Sequence, residues 1–159
     1  MNFSDYAAHD AFGISRLIKD REVSVEEVTE AAIDVAEQLN PKLNALVMTN
    51  FDNARELIKE KLPESPVSGS PFYLKDVNQF SSDMPTTFSC RFFDGVKPKP
   101  DSELVKRWRQ AGLVILGKTN TPEFAEDFVC ESTFRGLTLN PWNPEVTTGG
   151  SSGGAGAAV

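Results

Sequence analysis

The sequence predicts an α/β fold in which helices cover a mixed, partly parallel sheet. Apolar runs of strand length alternate with segments whose apolar residues recur at helical spacing, an order typical of sheets that are at least partly parallel. The run Leu113–Leu116 is continuously apolar, as expected of a strand that is covered on both faces. No internal repeat and no second domain is evident, so we expect residues 1–159 to belong to one domain.

The first forty residues predict two helices. Residues 10–21 carry apolar side chains at helical spacing. Ser24 and Glu27 form a capping-box pattern at the start of the second helix, because each can bond the backbone amide of the other. The pair Asn40-Pro41 predicts the end of that helix, since the residue before a proline avoids the α region.

The middle of the chain predicts two short strands. Residues 45–48 form a compact apolar run, and residues 51–62 return to helical spacing. Residues 63–70 are rich in Pro and Ser and predict a loop. Residues 72–74 predict a short buried strand, and residues 78–100 are irregular.

Three further elements complete the chain. Asp101 or Ser102 is expected to cap a helix that stops at Gly112, a residue type favoured just after a helix. Residues 121–123, Thr-Pro-Glu, have the cap, the proline and the acidic side chain typical of a helix start. A short helix of small residues is expected to begin near Gly154.

Composition and charge exclude several function classes. The net charge is −7, which argues against nucleic acid as a partner because phosphate binding needs a basic face. The chain has only Cys90, Cys130 and His9 as cysteine or histidine ligands, with no paired spacing, so no metal or other cofactor is expected. The sequence shows no signal peptide and no apolar run long enough to span a bilayer, so we expect a cytoplasmic protein without a membrane partner.

Three sequence blocks suggest chemistry, although each has a simpler interpretation alone. In residues 69–76, a lysine follows an apolar strand, where most lysines are surface charges. Residues 112–119 match the letters of a phosphate-binding loop, but residues 113–116 are strand-like where such a loop must be flexible. Residues 149–154, Gly-Gly-Ser-Ser-Gly-Gly, have the composition of a flexible linker.

Taken together and in this order, the blocks resemble the amidase-signature family. That family has a strand ending in Lys, a Gly-Lys-Thr-Asn-x-Pro-Glu-Phe turn (residues 117–124), an Asn-Pro-Trp turn (residues 140–142) and a Gly-Gly-Ser-Ser-Gly-Gly loop. The segment Asn-Pro-x-Leu-Asn-Ala at residues 40–45 is also similar. The resemblance therefore covers nearly the whole chain.

The resemblance implies an amide hydrolase with a Ser-cisSer-Lys triad and a small or linear amide as substrate. Lys75 matches the catalytic lysine and Ser151 the cis serine. The family's nucleophilic serine lies in a second glycine-rich segment, which residues 1–159 do not include. We therefore expect an incomplete amidase-signature fold, the N-terminal part of one domain, without activity of its own. We also expect an unpaired sheet edge and an uncovered apolar face, and therefore either self-association through that edge or a longer native protein of which residues 1–159 are a part.

Two alternatives stay open at this stage. One is an amidotransferase component of the A-subunit type, which has the same triad but needs other protein chains to act. The other is a truncated relative that binds an amide ligand or a partner without turnover.

Overall fold

The computed structural model describes all 159 residues of the chain. Its helices are α1 Phe3–Ala7, α2 Ala11–Lys19, α3 Val25–Leu43, α4 Phe51–Leu57, α5 Glu103–Gln110 and α6 Gly153–Ala158. Its strands are β1 Leu46–Thr49, β2 Pro71–Lys75, β3 Val114–Thr119, β4 Leu139–Asn140 and β5 Asn143–Thr147. No helix has both the length and the apolar character needed to cross a bilayer.

The main sheet has three strands in the order β1-β3-β2. Strand β1 runs antiparallel to β3, with Leu46 opposite Thr119. Strand β2 runs parallel to β3. Val114 N–H donates to the Ser70 carbonyl (2.9 Å) at the start of the two strands, and Asp76 N–H donates to the Thr119 carbonyl (3.2 Å) at their end, so the residue numbers rise in the same direction along both strands. The predicted mixed, partly parallel sheet is confirmed.

The central strand β3 is buried along its whole length. The sheet places β1 and β2 on the outside, so each has one edge without a partner strand. Self-association through such an edge stays a prediction. Strands β4 and β5 form a separate two-stranded antiparallel hairpin.

The chain divides into two compact units. The first unit comprises Met1–Gln38, Asn50–Phe72 and Lys106–Leu116. Its buried apolar side chains include Ile14, Val28, Ile33, Ala54 and Leu116. The second unit comprises Leu39–Thr49, Tyr73–Val105 and Gly117–Val159. Its buried apolar side chains include Leu46, Leu74, Met84, Val105 and Cys130.

Helix α3 begins as the capping box predicts but ends later than expected. Ser24 N–H donates to Glu27 Oε2 (2.8 Å), and Glu27 N–H donates to Ser24 Oγ (3.0 Å). The helix continues through Pro41 to Leu43, so the predicted end at Asn40-Pro41 is wrong. The last turn is held because Asn44 N–H still reaches the Asn40 carbonyl at 2.8 Å, and a proline removes only its own amide bond.

Helix α4 is shorter than the pattern of residues 51–62 predicts, because it ends at Leu57. Beyond it, Lys59 N–H donates to the Glu56 carbonyl (3.2 Å) and Glu60 N–H to the Leu57 carbonyl (3.1 Å). These bonds span three residues rather than four, so the backbone tightens into turns where the periodic pattern alone suggested more α-helix.

The predicted helix start at residues 121–123 is also wrong. Only a 3₁₀ turn forms, Glu123–Ala125, and Phe124 lies at a φ of 54°. Its N–H donates to the Phe88 carbonyl (2.9 Å), and its ring packs against those of Phe88 (5.9 Å between centroids) and Phe93 (6.1 Å). This aromatic cluster therefore overrides the local helix signal.

Candidate active site

The site is built where strand β2 ends. Its last residue, Lys75, is half-buried and follows the fully buried Leu74. The Lys75 N–H donates to the side-chain oxygen of Gln79, which closes the turn after the strand. The strand thus holds the lysine backbone and leaves its long side chain to extend past the end of the sheet.

The glycine-rich loop brings two serines to the lysine. The Gly150–Ser151 peptide is cis, and Ser152 precedes helix α6. The Lys75 Nζ donates to Ser151 Oγ at 2.7 Å and to Ser152 Oγ at 3.0 Å. The two residues singled out in the sequence, Lys75 and Ser151, are therefore in direct hydrogen-bond contact.

The environment of Lys75 favours the neutral amine. Burial lowers the pKa of this amine below its ordinary value, because desolvation disfavours the charged form. The neighbouring Cys130 acts in the opposite direction on this pKa, but less strongly than burial does. A neutral amine beside a serine hydroxyl can accept a proton from it, which a protonated amine cannot.

The loop packs so tightly that side chains larger than hydrogen do not fit at Gly153 and Gly154. A Cβ at Gly153 would lie 2.3 Å from the Cβ of Cys130. A Cβ at Gly154 would lie 2.3 Å from the backbone nitrogen of Asn120. The run of small residues is therefore a packing requirement of this loop and not a flexible linker.

Two buried residues after β3 hold the loop in place. Thr121 Oγ1 donates to the Ser151 carbonyl at 2.9 Å. Gly154 N–H donates to the Asn120 carbonyl at 3.2 Å, and the Asn120 side chain donates to Thr138 Oγ1 at 3.0 Å. Both Asn120 and Thr121 are fully buried. The position of Ser151 is thereby tied to the end of the central strand.

Sequence reasoning missed a buried ion pair beside the site. Strand β3 extends beyond the predicted residues 113–116 to Thr119, and it carries Lys118 with its side chain fully buried. Lys118 Nζ lies 3.8 Å from Oδ1 of Asp76, which is also fully buried. Burial lowers the pKa of Lys118 to about 8, although the carboxylates of Asp76 and Asp83 favour its charged form.

A signal for this pair was present in the sequence. Lys118 continues an apolar run that predicts a strand covered on both faces, and Asp76 directly follows a second buried strand. A lysine inside such a strand needs a counter-charge, because a buried charge is costly unless it is paired. Since residues 114–119 form a buried strand, residues 112–119 do not form a phosphate-binding loop.

Comparisons with known proteins identify the family of the chain. The family model described as Amidase matches residues 27–159. The 6-aminohexanoate-cyclic-dimer hydrolase of Paenarthrobacter ureafaciens is 39% identical over 152 residues, which are 94% of this chain and 30% of that protein. The A subunit of the glutamyl-tRNA(Gln) amidotransferase of Acidothermus cellulolyticus (strain ATCC 43068 / DSM 8971 / 11B) is 39% identical over 165 residues, covering 98% of this chain and 32% of that protein.

Solved structures give the same result. A structure of 6-aminohexanoate cyclic dimer hydrolase has a TM-score of 0.88 at 38% identity and covers 95% of this chain and 31% of that one. A bacterial aryl acylamidase has a TM-score of 0.87 at 31% identity and covers 95% and 33%. The chain thus spans about a third of the length of these relatives. The match over residues 27–159 shows that this chain belongs to the amidase family, the amidase-signature enzymes.

Proposed function

We propose that this chain supplies the base and the relay serine of an amide hydrolase that uses a Ser-cisSer-Lys triad. The observation that carries the proposal is the 2.7 Å hydrogen bond from Lys75 Nζ to Ser151 Oγ, with the Gly150–Ser151 peptide cis. A serine hydroxyl is a weak nucleophile and needs an adjacent base. In the proposed mechanism Lys75 takes a proton through Ser151 from the nucleophilic serine and later returns it to the leaving amine.

The energetic requirement on Lys75 is large but of a kind that burial meets. A free lysine has a pKa of ~10.4, so work near neutral pH requires a decrease of about 3 units, or about 4 kcal/mol. Desolvation lowers the pKa of Lys75 in the required direction. Closure of the site around substrate would strengthen that effect, because a drier site disfavours the ammonium further.

We assign the nucleophile to a segment outside residues 1–159. No serine in these residues matches the family's second glycine-rich segment, and the chain spans only 30% of the Paenarthrobacter relative. The chain alone is then expected to be inactive, because loss of oxyanion-hole donors by itself costs ~10²–10³ in rate. Turnover by the isolated chain that depended on Lys75 would overturn this assignment.

The substrate class proposed is a small or linear amide, including oligoamides. Two of the similar proteins have names that point to amide substrates, a 6-aminohexanoate-cyclic-dimer hydrolase, whose named substrate is cyclic, and an aryl acylamidase. A second candidate function, that of an amidotransferase component, is favoured by the 39% identity to the Acidothermus protein. A relative that binds without turnover is the third.

A chimera tests the hydrolase proposal. The aligned part of this chain would replace the matching 152 residues of the Paenarthrobacter hydrolase. We expect hydrolysis of the 6-aminohexanoate cyclic dimer, loss of it in Lys75→Ala, severe reduction in Ser151→Ala and no change in Lys59→Ala. Lys59 is the matched control because its amine is exposed and pairs with Glu56 at 2.6 Å.

The outcomes separate the candidates. Undiminished turnover by the Lys75→Ala chimera would refute the proposed base. A folded chimera that binds the dimer without turnover would favour the binding relative. A second chimera, built on the Acidothermus protein and assayed with its partner subunits, could restore glutamine-dependent amidation while the hydrolase chimera stays inactive. That result would favour the amidotransferase.

A further inference from the structure

The proposed mechanism makes no use of Lys118, although its ammonium is among the most completely buried groups in the chain. It donates to the Gln79 carbonyl at 3.3 Å and to the Thr86 hydroxyl, and it lies 3.8 Å from Oδ1 of Asp76. Burying a cation carries a large desolvation penalty, which only well-placed partners offset. A buried ion pair adds little net stability compared with apolar side chains of the same size. The role of Lys118 is therefore better inferred from the groups that its ammonium binds.

The partners of Lys118 lie at both ends of the turn that follows Lys75. At the near end, the Asp76 carboxylate pairs with Lys118 and accepts from Thr87 N–H at 2.9 Å. The Asp76 backbone is also fixed, because its carbonyl accepts from Phe88 N–H at 3.0 Å. This residue is the direct chain neighbour of Lys75, so its placement decides the direction in which the lysine leaves the strand.

At the far end of the turn, Gln79 is held from two sides. Its carbonyl accepts from Lys118 Nζ at 3.3 Å. Its side-chain oxygen accepts from Lys75 N–H. One ammonium group therefore connects the residue after Lys75 with the residue that binds the Lys75 amide.

We propose that Lys118 is a positioning residue, which acts through Asp76 and Gln79 to hold the turn that aims the Lys75 amine at Ser151. The inference rests on the proposed function only in taking Lys75 to be the base. Loosening this turn lets the Lys75 side chain swing towards water, away from the two serine hydroxyls. Hydration of its ammonium then raises the pKa of Lys75 towards that of an exposed lysine.

The charged and titratable groups around the two lysines are few. Asp76 and Asp83 face Lys118, and the Cys130 thiol faces Lys75. A variant that keeps all of these groups therefore tests positioning and not a change of charge. Thr86→Val meets that condition, because it removes a hydroxyl that binds Lys118 and replaces it with a methyl group of similar size.

The experiment measures the titration midpoint of the Lys75 amine in the 159-residue chain. An amine-reactive acylating reagent is applied over a pH series, and labelling of each lysine is quantified by mass spectrometry of its peptide. Because only the neutral amine reacts, the midpoint reports the pKa. Lys59 and Lys61, both exposed, provide internal references.

We expect the wild-type midpoint of Lys75 to lie below those of Lys59 and Lys61. Lys118→Met should raise it by about one pH unit, a roughly tenfold loss of neutral amine near pH 8. Thr86→Val should shift it in the same direction by less. Val28→Ala, a core truncation in helix α3, should lower stability and leave the midpoint unchanged.

A folded Thr86→Val chain with the wild-type Lys75 midpoint would overturn the proposal, and so would a shift of equal size in Val28→Ala. If Lys118→Met does not fold, Thr86→Val decides the question alone. The result is independent of catalysis. A shifted midpoint together with an active Lys75→Ala chimera would keep the positioning role and reject the proposed base.

Discussion

Replacing Gly154 with alanine should destabilise the chain strongly, whereas the same change at Gly156 in the same helix should not. The new Cβ at Gly154 would lie 2.3 Å from the nitrogen and 2.7 Å from the oxygen of Asn120, and 2.5 Å from the Ala45 carbonyl. All three are backbone atoms, which cannot rotate away as a flexible side chain can. At Gly156 nothing lies within 4 Å of the new Cβ.

The loss of stability in Gly154→Ala can be estimated from the backbone shift that the new Cβ requires. Overpacking a tight site costs about 1–3 kcal/mol, and backbone contacts place Gly154→Ala at the upper end. The shift would also strain two hydrogen bonds, Gly154 N–H to the Asn120 carbonyl (3.2 Å) and Asn120 N–H to the Ala45 carbonyl (2.8 Å), worth about 0.5–1.5 kcal/mol each. A loss of about 4 kcal/mol is expected from these two effects together. Gly156→Ala should gain up to ~1 kcal/mol, because alanine favours a helix more than glycine does.

Urea unfolding followed by circular dichroism gives the free energy of unfolding for the wild type and the two variants. If helix propensity alone governed helix α6, both substitutions would stabilise the chain. The reasoning is refuted if Gly154→Ala is as stable as Gly156→Ala.

Three further predictions concern charge and capping. Ser24→Ala should lower the free energy of unfolding by about 1 kcal/mol, because it removes the N-cap side chain of helix α3. The Ser24 backbone N–H, which this variant keeps, is the main cause that lowers the pKa of Glu27, and the Ser24 side chain is the second cause. The lowered pKa stabilises the fold above the unfolded pKa of this carboxyl, and the effect is lost as the pH falls. Ser24→Ala should therefore weaken the acid dependence of unfolding only in part; urea titrations at several acidic pH values that match the wild type would show that the side chain contributes nothing to it. The pKa of Lys118 is about 8 in the fold against 10.5 in the unfolded chain, so between these pH values the unfolded chain binds more protons than the folded one. The unfolding free energy of the wild type, measured relative to that of Lys118→Met, should therefore rise with pH over this range. Denaturant titrations in which this relative free energy does not change with pH would contradict the burial argument. Arg55 binds Glu30 at 2.7 and 2.8 Å, but both side chains are 40% exposed. A double-mutant cycle to alanine should therefore give a small coupling that shrinks with added salt, because solvent screens the pair. A coupling that salt does not change would show that this screening was overestimated.

Local patterns in the sequence predict the sheet and most helices because they depend on nearest neighbours. The capping box of Ser24 and Glu27 and the apolar run at residues 113–116 are complete within a few residues. The errors occur where a distant partner decides the conformation. Phe124 leaves the helical region because its amide and ring meet Phe88, a residue far away in sequence.

The candidate site was predicted in the same uneven way. Lys75 and Ser151 were recognised through motifs and lie in contact. Lys118 falls in residues 117–124, which the sequence predicts as a turn because Gly117 interrupts the apolar run, so the neighbouring run is its only local sign of burial. Its counter-charge Asp76 directly follows another strand, so only the pairing of β2 with β3 reveals that both are fully enclosed. Tertiary partners of charged residues are what the sequence pattern lacked.

The hydrogen bond between Lys75 and Ser151 also has a consequence for how the chain folds. It joins residues 76 positions apart. Closing a flexible loop of that length costs about 4 kcal/mol of chain entropy, whereas the helices need only neighbouring residues and form within about a microsecond. The contact is therefore expected late in folding, after β3 has docked between its neighbours. If the Lys75 amine reaches its native reactivity towards the acylating reagent only in the last part of a refolding time course, labelling of this single amine would report the completion of folding.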